Sequence, residues 1–311
     1  MTIPSRNYQI SPSQLSTYKT CPQRWLYSYR DCLRPIGTQS FFHTGTYWHE
    51  LAHHYYQLLQ AGFVLDSPVL RQSMISLMER NLEEADPVFL NIYLQVHIMF
   101  MRYMDKRSPV IDRGIKIERV EEELRLELEP GLDLMGILDL VYYDKGDIVL
   151  RDHKTGASAA AHSDAKMEVQ DQLLFYACLY WQIHDVIPSI ELSWISSKTD
   201  YKKVPEYDQL FRRFRRKLTL EELTGFWTYI QEYVYHMRSV TPIRKVQSQC
   251  ATCQFHDPCI MSLRGLNVDH IIENRYHKVT RDYEFTKFTQ ISSEHTDFHV
   301  TLKESNITLI G

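Results

Sequence analysis

The spacing of apolar positions changes period near Pro109. Upstream of that point the pattern is helical. Ser11-Pro12-Ser13-Gln14 predicts a helix start, with Ser11 at the cap, Pro12 at the first helical position and Gln14 at the capping-box position. That helix carries Leu15 and Tyr18 towards Cys21. Gly45 to Gln60 predicts a second helix with Leu51, Tyr55 and Leu58 on one stripe. Ser67-Pro68 and Asp86-Pro87 each read as a cap followed by proline, opening helices that run to about Arg80–Glu84 and to Lys106.

Beyond Pro109 the pattern alternates. Ile115 to Glu129 places Leu124, Leu126 and Leu128 on one face, and Pro130-Gly131 reads as a turn. Leu132 to Asp144 and Asp147 to Lys154 predict two more strands joined at Lys145-Gly146. Ser163 or Asp164 caps a helix through Tyr180, Ile190 to Ile195 is a strand, and Thr219 with Glu222 forms a capping box for a helix to about Arg238. Leu210, Phe211, Phe214 and Leu218 fit a helical stripe. Tyr283 to Ile310 reads as one or two strands.

A chain of 311 residues suffices for one large domain or two small ones. With 44% hydrophobic residues, 11 Gly and 12 Pro, it belongs to neither the disordered nor the collagen-like class. Met1 to Gln14 is polar and lacks the apolar stretch of a secretory leader. Ile92 to Met104 is interrupted by Gln95, His97 and Arg102 and is too short to span a bilayer. A soluble, cytoplasmic protein is expected. Thirty-five Lys plus Arg against 39 Asp plus Glu give a net charge of −4, so any nucleic acid must be met by a local patch.

The chemistry concentrates on the central hairpin. If Lys145-Gly146 is a two-residue turn, Asp144 pairs with Asp147, and counting back places Asp139 opposite Asp152. Facing side chains have Cβ atoms about 5 Å apart, and two carboxylates that close repel unless a proton or cation lies between them. Lys154, two residues past Asp152, shares its face. Such a set suits a divalent-cation phosphodiesterase. A solvated face is the plain alternative, weakened by apolar Val141, Ile148 and Leu150 alongside.

Gly136-Ile137-Leu138-Asp139 followed by Asp152-His153-Lys154-Thr155-Gly156 resembles the core of the PD-(D/E)XK nucleases. More narrowly, it resembles the branch holding the RecB and AddB nuclease domains, with Gly45-Thr46-Tyr47-Trp48-His49 and Gln172-Leu173-Leu174-Phe175-Tyr176 matching that branch's helical motifs. The likeness runs from about Ile10 to Cys259. It implies an α/β fold with a central mixed sheet flanked by helices, as in restriction endonucleases, with a helical insertion at about 55–109. It further implies a nuclease domain over residues 1–265 and a C-terminal extension over 266–311. By resemblance, His49, Asp139, Asp152 and the His153 carbonyl would ligate Mg²⁺ or Mn²⁺, Lys154 would orient or help deprotonate water, and Gln172 and Tyr176 would reach a phosphate. The implied activity is exonucleolytic hydrolysis of DNA with free ends or single strands in repair or recombination, alongside a helicase or recombination partner.

His49-Glu50-Leu51-Ala52-His53 also matches H-E-x-x-H, the helical zinc motif of metalloproteases. That reading leaves Asp139, Asp152 and Lys154 without a role. Cys250, Cys253 and Cys259 form a compact triplet to which Cys21 is the natural fourth ligand. Zinc is the commoner metal for four cysteines, but one distant Cys plus a triplet resembles the iron–sulfur clasp of AddB-type domains, implying a [4Fe–4S] cluster. Cys178 is expected to be a buried thiol, and Cys32 has no role. Lys202, Lys203, Arg212, Arg213, Arg215 and Arg216 supply a local basic patch for DNA, with the arginines turned outward from a helix. The remaining alternative is a non-catalytic DNA-binding or assembly module whose four-cysteine site is structural.

Overall fold

A computed structural model describes residues 8–37, 41–157, 170–198, 210–239 and 243–279. In chain order the strands are β1 (Tyr8–Ile10), β2 (Leu33–Pro35), β3 (Lys116–Glu129), β4 (Leu132–Asp144), β5 (Asp147–Gly156), β6 (Ser189–Ser196), β7 (Phe211–Lys217) and β8 (Tyr276–Lys278). The longer helices are α1 (Pro12–Thr20), α2 (Phe41–Gln60), α3 (Pro68–Glu83), α4 (Leu90–Arg102), α5 (Asp171–His184), α6 (Leu220–Ser239), α7 (His256–Leu263) and α8 (Asp269–Arg275). The chain divides into two compact units, Met1–Thr20 with Thr38–Pro242, and Cys21–Gly37 with Ile243–Gly311.

The larger unit is built on one mixed sheet. Its order is β1-β4-β5-β6-β7, with β3 paired along the other edge of β4. β1 runs parallel to the start of β4 and β5 parallel to β6, whereas β3–β4, β4–β5 and β6–β7 are antiparallel. The β4–β5 turn needs two left-handed residues, supplied by Lys145 at φ 54° and Gly146 at φ 91°. It fixes Asp144 opposite Asp147, and the ladder continues to Leu140 opposite Arg151. β1 and β5 pair with opposite ends of one edge of β4, so Asp139 lies where that edge opens between them.

Helices cover the sheet because their apolar stripes match its faces. α2 buries Trp48, Leu51, Ala52, Tyr55 and Tyr56, at the spacing of one helical face. These join Met74 and Met78 of α3 and Val96, Met99 and Phe100 of α4 in a core with Leu140, Tyr142 and Val149 of the sheet. β6 is buried along its whole length, as a strand covered on both faces must be. The caps act as anticipated: the Ser67 hydroxyl accepts from the Leu70 N–H at 3.2 Å, and Thr219 and Glu222 each accept from the other's N–H at 3.2 and 2.9 Å.

The smaller unit pairs β2 antiparallel to β8 and stacks Phe255 on Tyr276 at 5.5 Å, with Tyr27 and Leu33 in the same cluster. Both the expected cap at Ser163–Asp164 and the strands at Tyr283–Ile310 lie outside the described residues, as do Lys202 and Lys203. No helix among the described residues is long and apolar enough to cross a membrane.

Two expectations are corrected. The helical block continues past Pro109, a residue tolerated in a first turn, to Ile111. More consequentially, 211–217 is not a helix but strand β7, antiparallel to β6 from Phe211–Ile195 to Lys217–Ser189. The open edge of β6 offers backbone partners that outweigh the helical spacing of Phe211 and Phe214. The expected outward row of arginines is replaced by ion pairs: Arg213 binds Glu191 at 2.5 Å, Arg215 pairs with Asp144, and Arg216 binds Glu222 at 2.5 Å. Arg212 lies over the Phe214 ring, 5.5 Å from its centroid.

Candidate functional site

Side-chain alternation along β4 changes faces near Asp139. A Cβ on Gly136 would lie 2.4 Å from the Tyr176 ring of α5, so this position faces α5. Leu140 and Tyr142, of the same parity, pack instead into the core with α2. Opposite Asp139, in a register running from Val120–Leu140 to Glu122–Leu138, stands Glu121, whose φ is 52°. That left-handed value in the middle of a strand costs of order 1 kcal/mol, and such outliers concentrate at working sites.

The result is a compact donor set. One ligand atom each from His49, Glu121 and Asp139 lies within 4.8 Å of the others, the only such group of His, Cys, Asp and Glu among the described residues. His49 Nδ1 is 3.4 Å from Asp139 Oδ1, and Asp139 Oδ2 accepts the His153 backbone N–H at 2.6 Å. Asp152 sits one strand away on the face of α5. Lys154 Nζ lies 3.0 and 2.9 Å from its two oxygens, and Gln172 Nε2 donates to it at 3.2 Å and to the Tyr176 hydroxyl at 2.8 Å. All six residues expected at the catalytic site are therefore brought together, and Glu121 joins them.

Burial acts first on every titratable group of the cluster, and neighbouring charges then oppose or add to it. Burial, and then the neighbouring Asp139, raise the Glu121 carboxyl to about 8. Burial raises Asp152 to about 6, with Lys154 opposing and Asp139 adding to the rise. Burial alone would raise Asp139 too, but His49 beside it holds it well below the usual carboxylate range. Burial lowers His49, yet Asp139 outweighs it and brings the imidazole up to about 9. The Lys154 ammonium, also penalised by burial, is raised by Asp152 and Asp139. Two carboxylates and an imidazole suit a hard or borderline divalent cation, which would relieve this strain.

His153 turns its ring to the opposite face, at 5.6 Å in a stack on Tyr56 and 4.9 Å from Trp48. Burial lowers its imidazole well below the ordinary range, which keeps it neutral. Behind it Arg151, fully buried, binds Glu191 at 2.6 Å and Asp112 at 2.5 Å.

The geometry disfavours the H-E-x-x-H reading: His49 is engaged with Asp139, Glu50 accepts from Asn81 at 3.3 Å, and among the described residues no third His, Cys, Asp or Glu joins His49 and His53 in one ligand group.

Cys21, Cys250, Cys253 and Cys259 all fall in the smaller unit and are partly exposed. Their sulfur atoms make no group of three within 4.8 Å. Burial raises the Cys259 thiol, and Cys21 and Cys253 are near enough to raise it further. The Gln247 N–H donates to Cys250 Sγ and the Phe255 N–H to Cys253 Sγ, both at 3.5 Å. Cys178 is buried as expected, its thiol donating to the Leu223 carbonyl at 3.5 Å. Cys32, in a left-handed conformation, donates to the Tyr29 carbonyl at 3.4 Å.

Among solved structures, the chain resembles a “Putative exonuclease” from Eubacterium rectale at 14% identity and TM-score 0.47, over 85% of this chain and 98% of that one. It also resembles an alkaline exonuclease from Laribacter hongkongensis at 10% identity and TM-score 0.30, over 70% of this chain and 99% of that one. No curated protein matches the sequence. The family model of the PD-(D/E)XK nuclease superfamily matches residues 9–260, a span holding His49, Asp139, Asp152, Lys154, Gln172 and Tyr176, and the chain belongs to that superfamily.

Proposed function

We propose that this protein is a divalent-metal-dependent nuclease that hydrolyses phosphodiester bonds in DNA, acting as an exonuclease. The observation that carries the proposal is the row of acidic residues across three neighbouring strands, Glu121, Asp139 and Asp152, with His49 at one end and Lys154 at the other. His49, Asp139, Asp152 and the His153 carbonyl would hold Mg²⁺ or Mn²⁺, with Glu121 as an additional oxygen donor. The bound cation supplies Lewis-acid polarisation of the phosphate and a more acidic water. Asp152 holds the Lys154 ammonium at the edge of the carboxylate cluster, where it would orient the attacking water and offset charge developing on the phosphate. The Gln172 amide spends its two N–H groups on Asp152 and Tyr176, four residues along one helix face, which leaves the Tyr176 hydroxyl its own proton to donate to a phosphate oxygen; Gln172 would reach a phosphate only by giving up one of these bonds.

Digestion of end-labelled linear and closed circular DNA with Mn²⁺ tests this. Loss of linear DNA with circles intact, and no loss with Asp152→Asn, is the expected result. Cleavage of circles would replace the exonuclease assignment with an endonuclease. Inactivity on both substrates would remove the proposal.

We also place the chain in the RecB/AddB-like branch and assign Cys21, Cys250, Cys253 and Cys259 to a [4Fe–4S] cluster. Support comes from the shared location of the four cysteines in one unit and from backbone N–H groups aimed at two of the sulfurs, as ligating thiolates require. Broad visible absorbance with about four iron per chain is expected. A colourless protein with stoichiometric zinc would overturn it. A role in DNA recombination or repair is the setting that this branch suggests.

A further inference from the structure

Outside the catalytic cluster, the larger unit carries a track of partly exposed aromatic rings. Phe226, Tyr229 and Tyr233 fall on one side of α6. Ring centroids are 5.2 Å apart for Phe226 and Tyr229 and 4.6 Å apart for Tyr229 and Tyr233, while Tyr18 of α1 meets Tyr233 edge-on at 6.3 Å. The three α6 rings are partly exposed. The helix is anchored by a neighbouring stripe of buried residues, Leu223, Ile230, Val234 and Met237. A cation lies among the rings: Lys19 Nζ is 5.0 Å from the Tyr229 centroid and 5.9 Å from that of Tyr233. Lys19 also pairs with Asp171, the first residue of α5, and the next residue, Gln172, donates to Asp152. The track thus leads, through adjacent residues, to the candidate catalytic carboxylate.

We propose that Phe226, Tyr229 and Tyr233, with Lys19, form a stacking platform for single-stranded DNA that feeds the candidate active site. Every base has a π-face, and stacking on an aromatic side chain contributes about 1–3 kcal/mol per base without regard to sequence. Phe226 to Tyr233 spans about 10 Å of helix. With rings 5.2 and 4.6 Å apart, that length takes a short run of bases unstacked from one another, about one per ring. A duplex keeps its bases stacked on one another and cannot offer them to such a track, so the platform selects unpaired strands. Lys19 is already paired with Asp171, so binding here draws on stacking more than on released counterions. Its salt dependence is correspondingly shallow. The inference rests on the proposed nuclease for where the strand leads, but binding is testable by itself.

The test uses the full-length protein without divalent metal and a single-stranded oligo(dT) carrying 5-iododeoxyuridine. Photocrosslinking followed by peptide mass spectrometry is expected to mark Phe226, Tyr229 or Tyr233. Crosslinks confined to other residues, or none at saturating oligonucleotide, would overturn the platform. In parallel, Tyr229→Leu and Tyr233→Leu are expected to raise the oligo(dT) Kd by about fivefold to a hundredfold, whereas Tyr229→Phe and Tyr233→Phe bind within twofold of wild type. Wild-type affinity in folded Leu variants would also overturn it. Mn²⁺-dependent degradation by the wild type is scored separately. Crosslinks on the track without degradation would keep the platform and remove the proposed activity, and degradation without them would do the reverse.

Discussion

Glu121 of β3 and Asp139 of β4 stand opposite one another at the point where side-chain alternation changes faces. Opposed residues of an antiparallel pair project from one face together, which brings these two carboxylates side by side. Glu121 has a left-handed φ of 52°, and both carboxylates lie within 4.8 Å of the His49 imidazole. Strain at this residue is therefore tied to the donor set that it completes.

Glu121→Gly separates the two effects. Glycine accepts positive φ without cost, and the change removes a carboxylate held at about 8. The melting temperature of the metal-free protein is expected at or above the wild-type value, while Mn²⁺ affinity measured by titration calorimetry falls at least tenfold. A marked loss of stability would contradict the strain assignment.

Gly136→Ala probes the support of Asp152. The new methyl would meet Tyr176 ring carbons at 2.4 and 2.8 Å, and Tyr176 is bonded to the same Gln172 that holds Asp152. A destabilisation of about 1–3 kcal/mol is expected, with a larger proportional loss of nuclease activity. Gly225→Ala in α6, where a Cβ meets nothing within 4 Å, is the counterpart and should stabilise by about 0.5–1 kcal/mol. Urea unfolding of both variants decides the matter.

Metal affinity depends on pH with a definite sign. Without a cation, Glu121 and Asp152 hold protons up to about 8 and about 6, and His49 up to about 9. Ligation requires the deprotonated forms, so binding expels protons and affinity climbs as pH rises from 6 to 9. Titration calorimetry in buffers of differing ionisation enthalpy should report net proton release at pH 7. Zero release across that range would contradict the assignment.

The buried charges behind β5 form a separate structural element. Arg151, Asp112 and Glu191 have no exposed side-chain surface, and each acid neutralises part of the same guanidinium. Glu191→Ala leaves buried charge uncompensated and should cost about 3–5 kcal/mol in chemical denaturation. A cost below 1 kcal/mol would show that the network is dispensable.

Much of this site could be read from the amino-acid pattern because short turns fix register. Lys145-Gly146 permits one pairing, and that pairing correctly aligned β4 with β5 as far as Leu140 and Arg151. Glu121 was not legible. Glu129 pairs with Leu132, and an unbroken ladder from there would put Glu122 opposite Asp139. The irregularity between Glu127 and Glu129 shifts the partner by one residue. The β7 segment was misread because Phe211 and Phe214 fit a helical stripe, whereas the free edge of β6, a long-range partner, decides its conformation. Local periodicity carries no information about such an edge.

Anomalous scattering from Mn²⁺-soaked crystals decides whether the Asp139 cluster binds a divalent cation. A manganese peak bounded by His49, Asp139 and Asp152, lost in Asp139→Asn, is expected. Saturating Mn²⁺ with no peak between those side chains, or a peak that persists in the variant, would contradict it.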